Sequence, residues 1–407
     1  MSDLTDAGKA RLEDYLERIG DVLGNTTRKA SFATYALGLL SDGERKSVEP
    51  IAARATGNPA EVDAVHQRLL HFITDSPWDD YAVRRQAAEY GVKAIASSEP
   101  IEAWILDDTG FLKQGTHSVG VQRQYTGSAG KVANCQIGVS LSVATRSEHL
   151  PVDFALYLPT SWTDDAERRK EARIPDEVVF KTKPELALDM VAKALADGVP
   201  PGVVLGDCGY GASSEFRLSL QRLGLPYSLG VSPLTTVYEV HEVVNRGGQA
   251  IGVRDLAFKL RKKGKFQRCT WRAGSQDNLT ADFAMRRVSV CGEQGRELKE
   301  RPSVWLLIEW RDGEAEPANY FFSSLPADIA LKELVRITMQ RWRTERAYED
   351  LKGELGLDHY EGRRFRGWHH HISVALCCYA FAVAERHRIF PLTTRRHRPS
   401  GPNRSAA

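Results

Sequence analysis

The stretch Trp104-Ile105-Leu106-Asp107-Asp108-Thr109-Gly110 is a short apolar run that closes on acids and a glycine, and Val203-Val204-Leu205-Gly206-Asp207-Cys208-Gly209-Tyr210-Gly211 repeats the form. Such runs predict buried strands in a covered sheet, and an Asp at the strand end points into the crevice where open α/β sheets bind ligands. Alone, an Asp beside Gly is ordinary turn chemistry. The pair gains meaning from a third stretch.

That stretch is Gln340-Arg341-Trp342-Arg343-Thr344-Glu345-Arg346-Ala347-Tyr348-Glu349-Asp350-Leu351-Lys352. Read as part of one long helix that opens at Asp328 or Ala330 and runs to Glu354, it sets Arg341, Glu345, Tyr348, Glu349 and Lys352 on about one face. Such a face in isolation is a solvated ion-pair ladder. Beside two strand-end aspartates, a helical glutamate flanked by bases completes the ingredients of a two-metal site, because hard cations such as Mg²⁺ take carboxylate oxygens.

Outward from these stretches, residues 1–98 predict helices only. Leu4, Leu12, Tyr15, Leu16, Ile19 and Leu23 recur near helical spacing, and Phe32 to Leu40 and Val62 to Ile73 are further amphipathic runs. Basic residues there alternate with acids and no helix-turn-helix spacing stands out, so DNA-end recognition, dimerisation and plain bracing of a core all stay open. From Ile101 the pattern turns to strands at Trp104 to Asp107, Cys135 to Thr145 and Leu150 to Leu158. Helix Lys183 to Asp197, strand Val203 to Asp207, helix Ser213 to Leu223 and strand Pro226 to Val231 follow. Lys113 to Lys131, rich in Gly, Ser, Arg and Gln, reads as a hairpin turn in preference to a DNA-contact loop. The Asp164-Asp165 pair falls in a loop with no strand to fix it.

Residues 232–325 bring new strand composition at Thr236 to Val244, Ala281 to Val290, Val304 to Trp310 and Asn319 to Phe322, which reads as an inserted β-rich subdomain. It carries Lys259, Arg261, Lys262, Lys263, Lys265 and Arg268, the densest basic cluster in the chain. With few acids nearby, such charges predict contact with a DNA phosphate backbone rather than a hairpin tip in water. A last helix, about Trp368 to Phe390, has an apolar body. His369-His370-His371 precede it and read as helix-start polar groups or phosphate contacts, since three consecutive histidines cannot all face one ion. Residues 391–407 read as a basic disordered tail.

With 407 residues, 42% hydrophobic and 27% charged, the chain has room for two or three domains. No apolar run is long enough to span a membrane and the acidic start is unlike a secretory signal, so an intracellular, cytoplasmic location is the default expectation. The six cysteines are scattered without zinc-type spacing and read as reduced and structural. A net charge of +2 does not by itself point to nucleic acid, so the local clustering of charge carries that argument.

Asp-x-Thr after one strand, Asp-x-Gly-Tyr after a second and Arg-x3-Glu-x6-Lys on a late helix together resemble the DDE transposases of bacterial insertion sequences, over about residues 101–380. The resemblance implies an α/β fold, an RNase H-like mixed sheet flanked by helices (99–231 and 326–390), interrupted by the β-rich insertion (232–325) and preceded by an all-α N-terminal domain (1–98). It makes Asp107, Asp207 and Glu345 the catalytic and metal-binding triad for two Mg²⁺ or Mn²⁺ ions, with Asp107 bridging both. Arg341 and Lys352 become DNA-binding residues. The Asp-x-Thr register selects Asp107 over its neighbour Asp108, which alternation places on the other face of the strand, where only one of the two can enter the site. The family's Tyr three residues before the Arg is replaced here by Thr338. The implied partners are double-stranded DNA, both element ends and target, held by a homodimer. The implied reaction is cleavage of the ends and strand transfer of their 3′-hydroxyls into target DNA. A DNA-binding regulator that lost strand transfer and an RNase H-like nuclease are the rival readings.

Overall fold

The computed structural model describes residues 5–240, 249–272, 279–290 and 303–390. Its axis is strand β1 (Ala103–Leu112), buried along almost its whole length. β1 pairs antiparallel with β3 (Lys131–Ala144), whose other edge takes β2 (Gln122–Thr126) and then β4 (His149–Tyr157). On its second side β1 pairs parallel with β5 (Val203–Gly206), and β5 with β6 (Tyr227–Val231). Helices Lys183–Ala196 and Ser214–Arg222 make the connections that let parallel neighbours form.

The sheet does not stop at β6. β7 (Thr236–Glu239), β8 (Ile251–Gly252), β9 (Gln267–Arg272), β10 (Leu279–Val290), β11 (Ser303–Trp310) and β12 (Asn319–Ser323) continue it, since β12 pairs antiparallel with β6 and the order runs on through β11 and β10. The strands of 232–325 thus add to the central sheet. They are also joined by a helix, Val253–Lys262, which the strand reading passed over. Its apolar residues Val253, Leu256, Ala257 and Leu260 sit at i, i+3, i+4 and i+7 and are all buried, the helical period in plain form.

Three further expectations are corrected. β1 runs five residues beyond Asp107, so this Asp lies in mid-strand rather than at a strand end. The long late helix is two helices, Leu331–Thr338 and Trp342–Gly353, separated by a 3₁₀ turn at Met339–Arg341. The loop around Asp164-Asp165 contains the short helices Thr160–Thr163 and Ala166–Ala172, and Asp165 caps the second by accepting from the Arg168 N–H. The expected tail 391–407, Cys291 and the end of the Thr236 to Val244 strand lie outside the described residues.

The first part of the chain forms α1 (Asp6–Asp21), α2 (Thr26–Leu40), α3 (Val48–Ala55), α4 (Val62–Thr74) and α5 (Asp80–Ala96). Thr5, Asn25 and Asp79 cap α1, α2 and α5 with side-chain oxygens, as short polar residues do at helix starts. These helices share a core with the helix Phe365–Ile389. Tyr15 donates to the Cys377 carbonyl at 2.8 Å, and Arg11 pairs with the buried Glu385 at 2.8 Å. Arg84, buried on α5, reaches Asp80, Asp153 on β4 and Ser373 on that helix, so one guanidinium ties three elements.

His369, His370 and His371 lie inside this helix, not before it. His370 bonds the Ile73 and Trp78 carbonyls, and His371 bonds Tyr35 and the Gly356 carbonyl. Both are fully buried, so neither is free for a phosphate. Burial pushes each down to about 4. Between there and the ordinary value near 6.5 the unfolded chain binds protons that the folded one refuses. Stability is therefore expected to be full above about pH 6.5 and to fall as pH drops toward 4, by on the order of 3 kcal/mol per histidine at most. Thermal melts at pH 7.5 and pH 5 check this: the midpoint falls by several degrees, and His370→Gln, which removes one of the two titrations, reduces the difference.

Candidate active site

β5 ends at Gly206, and its last partner on β1 is Ile105, so beyond that point the edge of β1 is uncovered. A cleft of about 990 Å³ opens there, and Asp107, Asp108, Asp207, Arg341, Glu345, Tyr348, Glu349 and Lys352 all line it. The two strand segments and the late helix singled out in the sequence thus meet in space. Asp107 and Asp108 both line it, against the expectation that only one can, because an open strand edge is reachable from either face.

Asp107 is 8% exposed and sits opposite Ser140 of β3. Its Oδ1 accepts from Arg341 Nη1 at 3.2 Å. Burial pushes the carboxyl up to about 7, Arg341 opposes this, and the charges of Asp108 and Asp207 add to the rise. Asp108 turns instead to Lys183, at 2.8 Å, on the first turn of helix Lys183–Ala196. A full capping box between Thr182 and Glu185 fixes that turn.

Asp207 follows β5 and caps the short helix Cys208–Gly211 by accepting from the Gly209 N–H at 2.8 Å. The turn packs so tightly on β6 that a Cβ at Gly211 would collide with the Gly230 carbonyl. Glu345 is 61% exposed on its side chain, with Oε1 3.4 Å from Arg341 Nη2. Arg341, at the 3₁₀ turn, therefore stands between Asp107 and Glu345. Glu349 pairs with Arg346 at 3.2 Å. Tyr348 is buried against Ser140, 2.5 Å from oxygen to oxygen.

Lys352 donates to Thr109 Oγ1 and the Gly110 carbonyl, both at 2.8 Å, and to Ser128 Oγ at 3.2 Å. It thus clasps β1 to the tip of the β2–β3 hairpin. The hairpin lies so close on β1 that a Cβ at Gly110 would strike the Thr126 hydroxyl. Lys183, Ser128 and Thr126 were missed by sequence reasoning. The capping box of Thr182 was legible, but not the direction in which its helix points.

The donor set is all oxygen, which suits a hard divalent cation. The buried, protonation-prone Asp107 is a charge that a cation would offset. As they stand, no three His, Cys, Asp or Glu side chains among the described residues gather closely enough to hold an ion, and the space between Asp107 and Glu345 belongs to Arg341.

The basic cluster lies elsewhere. Lys259 pairs with Glu239, Arg261 with Asp282 at 2.7 Å, and Arg268 with Asp282 and Asp312. The expected scarcity of acids held only along the sequence, since β7, β10 and the β11–β12 turn bring them in. Lys262, Lys263 and Lys265 are exposed and have no ion pair among the described residues. None of the six lines the carboxylate cleft. Thr338 is buried and bonds Ser228 of β6 at 2.7 Å. Among the described residues no helix is long and apolar enough to cross a membrane.

Residues 18–278 match the family described as DDE superfamily endonuclease, and residues 182–381 match the transposase DDE domain. The chain is 28% identical over 355 residues to the probable transposase for insertion sequence element IS701 of Microchaete diplosiphon, a span covering 86% of this chain and 82% of that one. A solved piggyBac transposase synaptic complex with hairpin DNA is similar at 10% identity and a TM-score of 0.44, over 92% of this chain and 68% of that one.

The contact of the hairpin with β1 predicts that Gly110→Ala destabilises the protein by about 1–3 kcal/mol, as overpacking does. Urea unfolding measures the loss, and adding Thr126→Gly, which vacates the space, is expected to recover most of it.

Proposed function

The chain belongs to the DDE superfamily endonucleases and is a DNA transposase, and from that premise we propose that Asp107, Asp207 and Glu345 are its catalytic carboxylates. The observation that carries the assignment is their convergence, from β1, the end of β5 and the Trp342–Gly353 helix, on one cleft. The strand order β4-β3-β1-β5-β6, three antiparallel strands and then two parallel ones, supports an RNase H-like core. Residues 1–98 and 232–325 then stand as an all-α N-terminal domain and a β-rich insertion.

The three carboxylates would hold Mg²⁺ or Mn²⁺, two ions when the site is loaded. Bound there, such ions supply an activated oxygen nucleophile and relief of charge on the leaving oxygen of a phosphodiester. The chain's own residues prepare that chemistry. Lys183 pairs with Asp108, and Arg341 bonds both Asp107 and Glu345. Lys352 fixes the backbone of β1 just beyond Asp107, presenting a cation to a phosphate at the cleft wall. The reaction is cutting at the ends of an insertion sequence and joining of the freed 3′-hydroxyls to target DNA, with two copies of the chain holding the two ends. Lys262, Lys263 and Lys265 add contacts to the phosphate backbone outside the cleft, with Lys259, Arg261 and Arg268 placed by their acidic partners beside them.

Asp107→Asn, Asp207→Asn and Glu345→Gln are each expected to abolish Mn²⁺-dependent cleavage and joining of a plasmid carrying the element ends, while melting curves and end binding stay close to those of the unsubstituted protein. Residual metal-dependent cutting by one variant removes that residue from the triad. End binding without cutting by the unsubstituted protein supports a regulator instead, and cutting without joining a nuclease. Neutralising Lys262, Lys263 and Lys265 together is expected to weaken DNA binding and flatten its dependence on salt. An unchanged salt slope takes these lysines out of the interface.

A further inference from the structure

The β2–β3 hairpin reaches the cleft as well. Its residues Tyr125, Gly127 and Ser128 line the same cavity as the carboxylates. Tyr125 is 66% exposed, and among the described residues its ring meets no other ring and its hydroxyl makes no hydrogen bond. One exposed tyrosine is unremarkable by itself, because much of any protein surface is apolar. Three observations set this one apart.

First, the hairpin is held in place. Ser128 bonds Thr109 Oγ1, the Gly110 N–H and Lys352 Nζ, each at 3.2 Å, and Thr126 is seated on Gly110. The tip is thereby fixed to the strand that carries Asp107 and the helix that carries Glu345, so Tyr125 is presented at a set position. Second, the hairpin strands present Arg123 and Lys131, both exposed and neither with an ion pair among the described residues, so their charge is available to a polyanion. Third, Arg123 and Tyr125 are both exposed and, two residues apart in a strand, project from one face. A cation beside an open aromatic face is the combination that receives a phosphate and its base together.

We propose that the β2–β3 hairpin is a base-contact element of the active site, with Tyr125 stacking on an unpaired nucleobase at the DNA end and Arg123 on the adjoining phosphate. The hairpin then positions the strand whose phosphodiester lies against the carboxylates. Stacking is indifferent to base identity, so Tyr125 serves placement of the end rather than recognition of its sequence. The inference rests on the transposase reading above, but its test does not depend on the carboxylate assignment.

The test uses the full chain without divalent metal and a duplex of the element end bearing a short single-stranded extension with 2-aminopurine at the first unpaired position. Binding is expected to quench the 2-aminopurine. Tyr125→Ala is expected to lose the quenching and to bind the extended end on the order of tenfold more weakly, the size of one lost base–aromatic stack. A blunt duplex should lose less. Tyr125→Phe, which keeps the ring, should behave like the unsubstituted protein, and melting curves identify any variant that fails to fold. Tight end binding with no quenching, or a Tyr125→Phe variant as impaired as Tyr125→Ala, overturns the assignment and leaves the transposase reading standing.

Discussion

Negative charge kept out of water on β1 is the constraint to which the other elements of the site answer. Asp107 is buried in mid-strand beside Asp108 and within reach of Asp207, and burial together with like charge opposes its ionisation. Arg341 offsets this, and two further cations secure the residues beside it. Arg341 comes from a 3₁₀ turn, Lys183 from the start of a capped helix, and Lys352 from the glutamate helix, where it secures the backbone rather than a carboxylate.

The helix that carries Glu345 is separated from the one before it at the same place. An unbroken helix from Leu331 to Gly353 would carry Arg341 and Glu345 on one continuous axis. The 3₁₀ turn at Met339–Arg341 tightens the backbone at the residue that bonds Asp107. The remaining helices brace this arrangement from behind. Helix Phe365–Ile389 is buried along most of its length between the sheet and α2 and α5, and its histidines serve that packing with hydrogen bonds to backbone carbonyls.

Charge clusters show how far a one-dimensional reading can mislead. Lys259, Arg261 and Arg268 look unopposed along the chain, yet Glu239, Asp282 and Asp312 arrive from other strands and a turn to meet them. What stays unpaired among the described residues is the run Lys262, Lys263 and Lys265, at the end of a helix and the turn after it. Lys113 to Lys131 went the opposite way. It read as a mere hairpin turn, and the hairpin is there, but its tip closes one wall of the carboxylate cleft.

Sequence alone determined what local pattern can carry. The apolar runs before Asp107 and Asp207, the common face of Arg341, Glu345, Tyr348, Glu349 and Lys352, the N-terminal helices and the three motifs in their order were legible because each depends on residues close together in the chain. Burial of the histidines, the partners of the basic cluster, the shared access of Asp107 and Asp108 and the clasp of Lys352 on Ser128 were decided only by the tertiary structure. The histidines depend on how the N-terminal helices pack on helix Phe365–Ile389, the basic cluster on β7, β10 and the β11–β12 turn, and the cleft on where β5 stops beside β1. Strand pairing joins residues far apart in sequence, and no local period records which partner will be met.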